Sequence, residues 1–189
     1  MPLTTYTAGD VLTAASLNSN FKVAGGLQLV KAETAISAAS SVTADNVFTS
    51  TYTNYRINLV YNTSTTNDVS LKLRTGGTSA STSYNRQTFQ STSTTNTGAN
   101  ATGQTSYLVG PNSNGTRRCY ATIDVSGPQV ADQTAFQVNV TLFQGDNAGR
   151  VYFIYGMHDA ATSYDGFELL VATGTFSGSY TVYGYGKTL

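Results

Sequence analysis

Polar and apolar residues alternate along most of this chain, and the alternation predicts strands. In Tyr52–Tyr61, the side chains of Tyr55, Ile57, Leu59 and Tyr61 fall on one face, because successive side chains of an extended chain point to opposite sides. Val69, Leu71 and Leu73 repeat the pattern before Gly76-Gly77. With a polar turn at 62–68 between them, these two runs read as adjacent antiparallel strands. The clearest strand is Ala135–Phe143, with Phe136, Val138, Val140 and Leu142 inward and Gln137, Asn139 and Thr141 outward. Val151–Gly156 is apolar on both faces, as a central strand or one that meets another subunit would be. The chain is organised around its closing stretch, Phe167–Gly186. There Phe176, Tyr180 and Val182 share one face, and Thr181, Tyr183 and Tyr185 share the other. Thr173-Gly174-Thr175 reads as a turn or bulge between two strands, the last of which docks in a sheet or at a subunit contact.

Other stretches are less regular. Leu27–Ala32 alternates briefly, and Glu33–Asn46 is a strand plus loop or a linker. Ser79–Gln104 is rich in Ser, Thr, Asn and Gly, interrupted by Tyr84 and Phe89. It reads as a long polar surface insertion, the kind of segment on which function often sits. Tyr107 restarts the strands. The one helix expected is Thr7–Phe21, capped by Asp10, with Val11, Ala14, Leu17 and Phe21 as its apolar stripe and Gly25-Gly26 at its end. So short a helix is marginal alone. It therefore either caps the domain's own core or pegs into a neighbouring protein, and the peg is the favoured reading. About eight to ten strands with frequent turns predict an all-β fold, an antiparallel β-sandwich, jelly-roll-like, with a short N-terminal helix. Residues 1–26 form an N-terminal segment and residues 27–189 the sandwich domain.

Composition narrows the functional classes. Charged residues make up 11% of the 189, with 10 basic and 10 acidic. There is thus no basic field for nucleic acid. The 13 Tyr and 8 Phe argue against disorder. A near-neutral surface favours association, so neighbouring subunits are expected to cover much of it. Cys119 stands alone, which leaves no intrachain disulfide or thiolate metal site, and it reads as a buried small residue. No run reaches the roughly 18 apolar residues of a membrane span, so no membrane insertion is expected. The N-terminus lacks a secretory pattern, and synthesis in a cytoplasm is expected.

Candidate chemistry is sparse. His158-Asp159 holds the one histidine, but no Gly-x-Ser-x-Gly elbow accompanies it. It reads as a loop histidine packed on tyrosine or bonded to backbone. Glycoside cleavage needs two carboxylates at a defined separation. Asp124, Asp132, Asp146, Asp159, Asp165 and Glu168 mostly lie in turns, where Asp bonds backbone amides. No calcium-loop or phosphate-loop pattern is present, and no enzyme activity, cofactor or metal is expected. The aromatics pose a different question. Tyr84, Phe89 and Tyr107 flank the polar insertion, and Tyr152 and Tyr155 flank a turn. With amides and hydroxyls beside them, such rings suit either sugar stacking or a subunit interface, and core or subunit packing is favoured.

The run Tyr6-Thr7-Ala8-Gly9-Asp10-Val11-Leu12-Thr13-Ala14-Ala15-Ser16-Leu17-Asn18-Ser19-Asn20-Phe21 resembles a segment near the N-termini of tailed-bacteriophage fibre and other virion proteins. Phe48–Ile57 and Leu71-Lys72-Leu73-Arg74-Thr75-Gly76-Gly77 resemble the opening of β-sandwich domains in phage structural proteins. Ala172–Tyr185 resembles their final hairpin. The resemblance implies a non-enzymatic virion component made in the host cytoplasm, a tail fibre or fibre-like appendage. Its expected partners are itself, as a homo-oligomer with a trimer favoured, and other virion proteins docked through Val11, Ala14, Leu17 and Phe21. A head-decorating or head-fibre protein is the alternative. A lectin-like module that binds host-surface glycan through Tyr84, Phe89 and Tyr107 is a second alternative, and a depolymerase a third.

Overall fold

The computed structural model of the chain describes residues 6–11, 13, 26–65, 67–92, 94–111, 117–143 and 149–186. In chain order the strands are β1 (Leu27–Ala39), β2 (Ser41–Ala44), β3 (Asn54–Thr63), β4 (Val69–Thr75), β5 (Thr78–Ser79) and β6 (Tyr84–Thr92). They continue with β7 (Thr95–Gln104), β8 (Tyr107–Gly110), β9 (Cys119–Ser126), β10 (Thr134–Phe143), β11 (Gly149–His158), β12 (Gly166–Val171) and β13 (Phe176–Tyr185). An eight-stranded sheet runs β1-β13-β3-β9-β10-β11-β6-β7, and a smaller sheet runs β2-β12-β4-β5 with β8 also paired to β4. Every pairing is antiparallel.

The period-two pattern decides which faces meet. Tyr55, Ile57, Leu59 and Tyr61 of β3, Ile123 and Val125 of β9, and Phe136, Val138, Val140 and Leu142 of β10 point inward and are buried. They meet Val69, Leu71 and Leu73 of β4 and Phe167, Leu169 and Val171 of β12 in one core. The result is a two-sheet antiparallel sandwich. Cys119 is buried at the start of β9.

Rings bridge the two sheets. Tyr107 of β8 stacks on Phe136 of β10 with centroids 4.4 Å apart, and Phe167 of β12 meets Tyr180 of β13 edge-on at 5.6 Å. On one side of β4, β5 covers Arg74–Thr75 and β8 covers Val69–Leu71, so Leu73 falls in the gap between them. The hydroxyl of Tyr84, which comes from the other sheet, accepts the Leu73 amide at 2.7 Å. That bond supplies a partner that no strand provides there.

Several expectations change. Among the described residues there is no helix. Asp10, expected to cap one, accepts the Thr7 amide at 2.7 Å and the Thr7 hydroxyl at 3.0 Å. Ala14, Leu17 and Phe21 lie outside the described residues, whereas Val11 is exposed. The runs at 55–61 and 69–74 are not neighbours, because the turn between them crosses from one sheet to the other. The closing stretch is likewise not a hairpin. β12 and β13 belong to different sheets, with Gly174 at φ 74° in the crossing turn. Alternation reports which face is buried, and it is blind to whether a turn stays within one sheet. Glu33–Asn46 divides at Ser40 between β1 of the large sheet and β2 of the small one. The polar insertion 79–104 is mostly the β6–β7 hairpin, whose backbone pairing needs no apolar side chains.

β13 lies between β1 and β3 and tolerates nothing at Gly178. That residue has φ 149°, and a Cβ there would sit 1.9 Å from the Val60 carbonyl oxygen. Gly178→Ala should therefore lower unfolding free energy by about 2–3 kcal/mol through strain and overpacking. Gly98→Ala on β7, where a Cβ finds nothing nearer than 3.7 Å, should shift it by less than about 0.5 kcal/mol. Urea titration of the two variants checks this, and equal midpoints would refute it.

Candidate functional site

Among the described residues, none forms a layer over the outer face of the eight-stranded sheet. Cross-strand partners fix what stands beside what. One row runs Asn100, Gln87, Tyr155, Gln137, Asp124, Arg56, Tyr183, Leu29 from β7 to β1. The next runs Gly98, Phe89, Phe153, Asn139, Thr122, Asn58, Thr181. Neighbouring members of a row stand about 5 Å apart, so Tyr155 stands between the amides of Gln87 and Gln137, and Phe153 between Phe89 and Asn139.

The apolar end of this face lies on β6 and β11. Phe89 is 45% exposed, Tyr155 44%, Met157 40% and Phe153 37%. Phe89 and Phe153 face each other with centroids 6.4 Å apart, tilted by 31°. Beside them a hollow of about 280 Å³ is bounded by Gln87, Asn100, Tyr155 and Met157. Rings of this exposure offer flat apolar area, and the amides beside them offer both donors and acceptors.

The other end is ionic. Arg56 grips Asp124 with two parallel bonds, Nε to Oδ1 and Nη2 to Oδ2, each 2.8 Å. Tyr185 donates its hydroxyl to Asp124 Oδ1 at 2.6 Å, and the Arg56 guanidinium lies 5.5 Å from the Tyr185 ring centre. Burial pushes the Asp124 pKa up, but the bonds from Arg56 and Tyr185 and the Arg56 charge outweigh it and hold the carboxyl below its usual value. Burial, then the hydrogen bond to Asp124, pushes Tyr185 up to about 12. A shallow hollow of about 230 Å³ opens here between Asn54, Asp124, Ser126 and Gln137.

Of the three rings weighed from sequence as glycan or subunit contacts, only Phe89 stands on this face. Tyr84 and Tyr107 are 1% and 0% exposed, so neither offers a face to a ligand. Their rings fill the space between the sheets, where Tyr84 also serves Leu73. Tyr152 is buried as well, while Tyr155 faces out. Phe153 was missed, although the run Val151–Gly156, apolar on both faces, was the signal that pointed to it, and Met157 lies just beyond that run. The Arg56–Asp124 pair joins residues far apart in sequence and had no local signal.

The remaining candidates for chemistry are held in place. Asp132 accepts the Gln133 amide, Asp165 the Gly76 amide and Glu168 the Ser79 hydroxyl. Asp159 pairs with the Gln133 side chain. Asp146 lies outside the described residues. Among the described residues no cluster of three His, Cys, Asp or Glu side chains could hold a metal ion, and no helix is long and apolar enough to cross a membrane. His158 closes β11 rather than sitting in a loop. It packs edge-on against Tyr84 at 4.4 Å and Tyr164 at 5.3 Å.

No protein-family model matches the chain, and no curated protein does. Among solved structures, the galectin LEC-6 of Caenorhabditis elegans is 11% identical, with a TM-score of 0.35 over 82% of this chain and 96% of that one. A protein of unknown function from Shewanella oneidensis MR-1 is 8% identical, with a TM-score of 0.30 over 97% of this chain and 98% of that one. Likeness at this level carries no argument about function, and the class stated here, a two-sheet antiparallel β-sandwich, rests on the strand pairing itself.

Burial holds the His158 pKa below 6.5. The unfolded chain then takes up the proton first, so stability should fall as pH drops below about 6.5. Denaturation midpoints at pH 7.5 and 5.5 should show this loss in the native chain, and His158→Phe should reduce it. An equal loss in both proteins would exclude His158 as its source.

Proposed function

We propose that this chain is a non-enzymatic structural protein of a bacteriophage virion, a tail fibre or fibre-like appendage. In this reading it assembles as a homo-oligomer, residues 1–26 dock it to the particle, and the sandwich is displayed outward. The likeness of residues 6–21 to virion attachment segments carries the reading. Two features of the sandwich support it. Its charges are few and balanced, which suits packing among protein neighbours. It also presents a broad face with Phe89, Phe153 and Tyr155 exposed. A head fibre or head-decorating protein would share these features and differ in its place on the particle.

A second reading is favoured by one observation, the row of amides and rings on that face. Gln87, Tyr155 and Gln137 stand side by side, and such a row suits the flat apolar faces and hydroxyls of a neutral saccharide. In this reading the displayed sandwich binds host-surface glycan there.

Deleting residues 1–26 should abolish incorporation into particles, measured by immunoblotting of purified virions. Incorporation at the native level would sink the attachment role. Labelling by electron microscopy then separates tail from head. For the glycan reading, Tyr155→Ala should weaken binding to host cells about tenfold, the equivalent of one lost stacking contact, without lowering the melting temperature. A glycan array without hits would count against it.

A further inference from the structure

A sheet edge is a row of unpaired amides and carbonyls, and proteins blunt such edges with charge, proline, bulges or shortness. Most edges of this sandwich are blunted. β1 carries Lys31 and Glu33 and breaks register three times against β13. β2 has 4 residues, β5 has 2 and β8 has 4. β7 differs from all of them. It is 10 residues long and exposed except at the half-buried Ala101 and Gln104. Its sequence, Thr-Asn-Thr-Gly-Ala-Asn-Ala-Thr-Gly-Gln, has neither charge nor proline, and no charged residue occurs from Gln87 to Thr116. Its pairing to β6 is regular from Thr95 to Ala101.

The hairpin geometry says which groups of β7 are free. Thr92 and Thr95 are partners across a two-residue connection, so they must exchange both backbone bonds. Bonded and non-bonded pairs alternate along an antiparallel ladder. Thr97, Ala99 and Ala101 therefore also bond to β6, and the amides and carbonyls of Asn96, Gly98 and Asn100 point away from the sheet. The side chains of Asn96 and Asn100 share the outer face with Phe89, which stands opposite Gly98.

We propose that β7 pairs antiparallel with β7 of a second copy of this chain, about a two-fold axis at Gly98. The segment is self-complementary about that point. Gly98 would meet its own counterpart, Asn96 would meet Asn100 of the second copy and Asn100 would meet Asn96. All three pairs fall on the groups left free, and each exchanges two backbone bonds. Asn side chains then face Asn side chains and can bond amide to amide, while the closer pairs between them join Thr97 to Ala99, small enough for that spacing. The paired glycines leave a notch on the outer face, with one Phe89 on either side to lean over it. The two large sheets would become one, and the rows of amides and rings would run on across the axis. This deepens the homo-oligomer reading above by naming its contact.

The test uses the full chain and its mass in solution by sedimentation. The native protein should be a dimer. Asn96→Lys with Asn100→Lys sets lysine against lysine at both outer pairs and should halve the mass. Asn96→Lys with Asn100→Glu sets lysine against glutamate at the same pairs and should restore the dimer. Circular dichroism should match the native protein in both, because these side chains are exposed in the fold of one copy, while the melting temperature should fall only where the dimer is lost. A larger oligomer whose mass ignores both variants would overturn the β7 contact and leave the homo-oligomer reading standing. A native monomer would overturn both.

Discussion

Tyr107 lies flat on Phe136 across the sandwich at 4.4 Å, and Tyr84 reaches from β6 to the Leu73 amide of the opposite sheet. Phe48, Tyr55, Phe167 and Tyr180 form a second chain of ring contacts across the same interior. Burying rings of this size gives on the order of 2–3 kcal/mol each, which is the main force holding one sheet against the other. The hydroxyls matter too, because a buried polar end is costly without a partner, and only Tyr107 of these cross-core rings leaves its hydroxyl without one among the described residues. Tyr84 finds it at Leu73, Tyr61 at the Pro111 carbonyl and Tyr55 at Thr49.

That packing commits one face of the eight-stranded sheet and frees the other. The smaller sheet covers the inner face only in part, and the β6–β7 hairpin at the rim buries little. Among the described residues β7 is held by its ladder to β6 and by the Asn85 side chain of β6, which accepts the Gly103 amide. The outer face keeps what the core does not need: polar side chains over most strands, aromatic rings on β6 and β11, and the Arg56–Asp124–Tyr185 cluster. The rigid element here is the sheet itself, so a ligand or a second copy would meet side chains already fixed in register. Arg56 spends its charge on Asp124 within the chain, which leaves the face close to neutral and better suited to uncharged partners.

Much of this was legible in the sequence. The alternation in Phe136–Leu142 and Tyr55–Tyr61 gave the inward residues correctly, and the doubly apolar run Val151–Gly156 marked the strand whose outward rings form the candidate site. Pairing was less legible. Nothing local distinguishes the turn at 64–68, which crosses between sheets, from one that stays within a sheet. The polar segment 79–104 concealed a hairpin because its strands are stabilised by main-chain bonds that leave no apolar signature. Tyr84 and Tyr107 stand among polar residues, and the packing role favoured for them over sugar stacking is the one they have, since each points away from those neighbours into the core.

The sequence alone determined that this is an all-β chain with few charges, which residues of each strand turn inward, and that one segment lacks charge entirely. Those properties are set by side-chain periodicity and composition, which need no knowledge of distant neighbours. Only the tertiary structure decided which strands share a sheet, that Arg56 meets Asp124, that Phe89 joins Phe153 on an open face, and that the uncharged segment ends up as a free edge. Each of these depends on bringing residues together across long stretches of chain, and the contacts that do so form only when two sheets close over a common core.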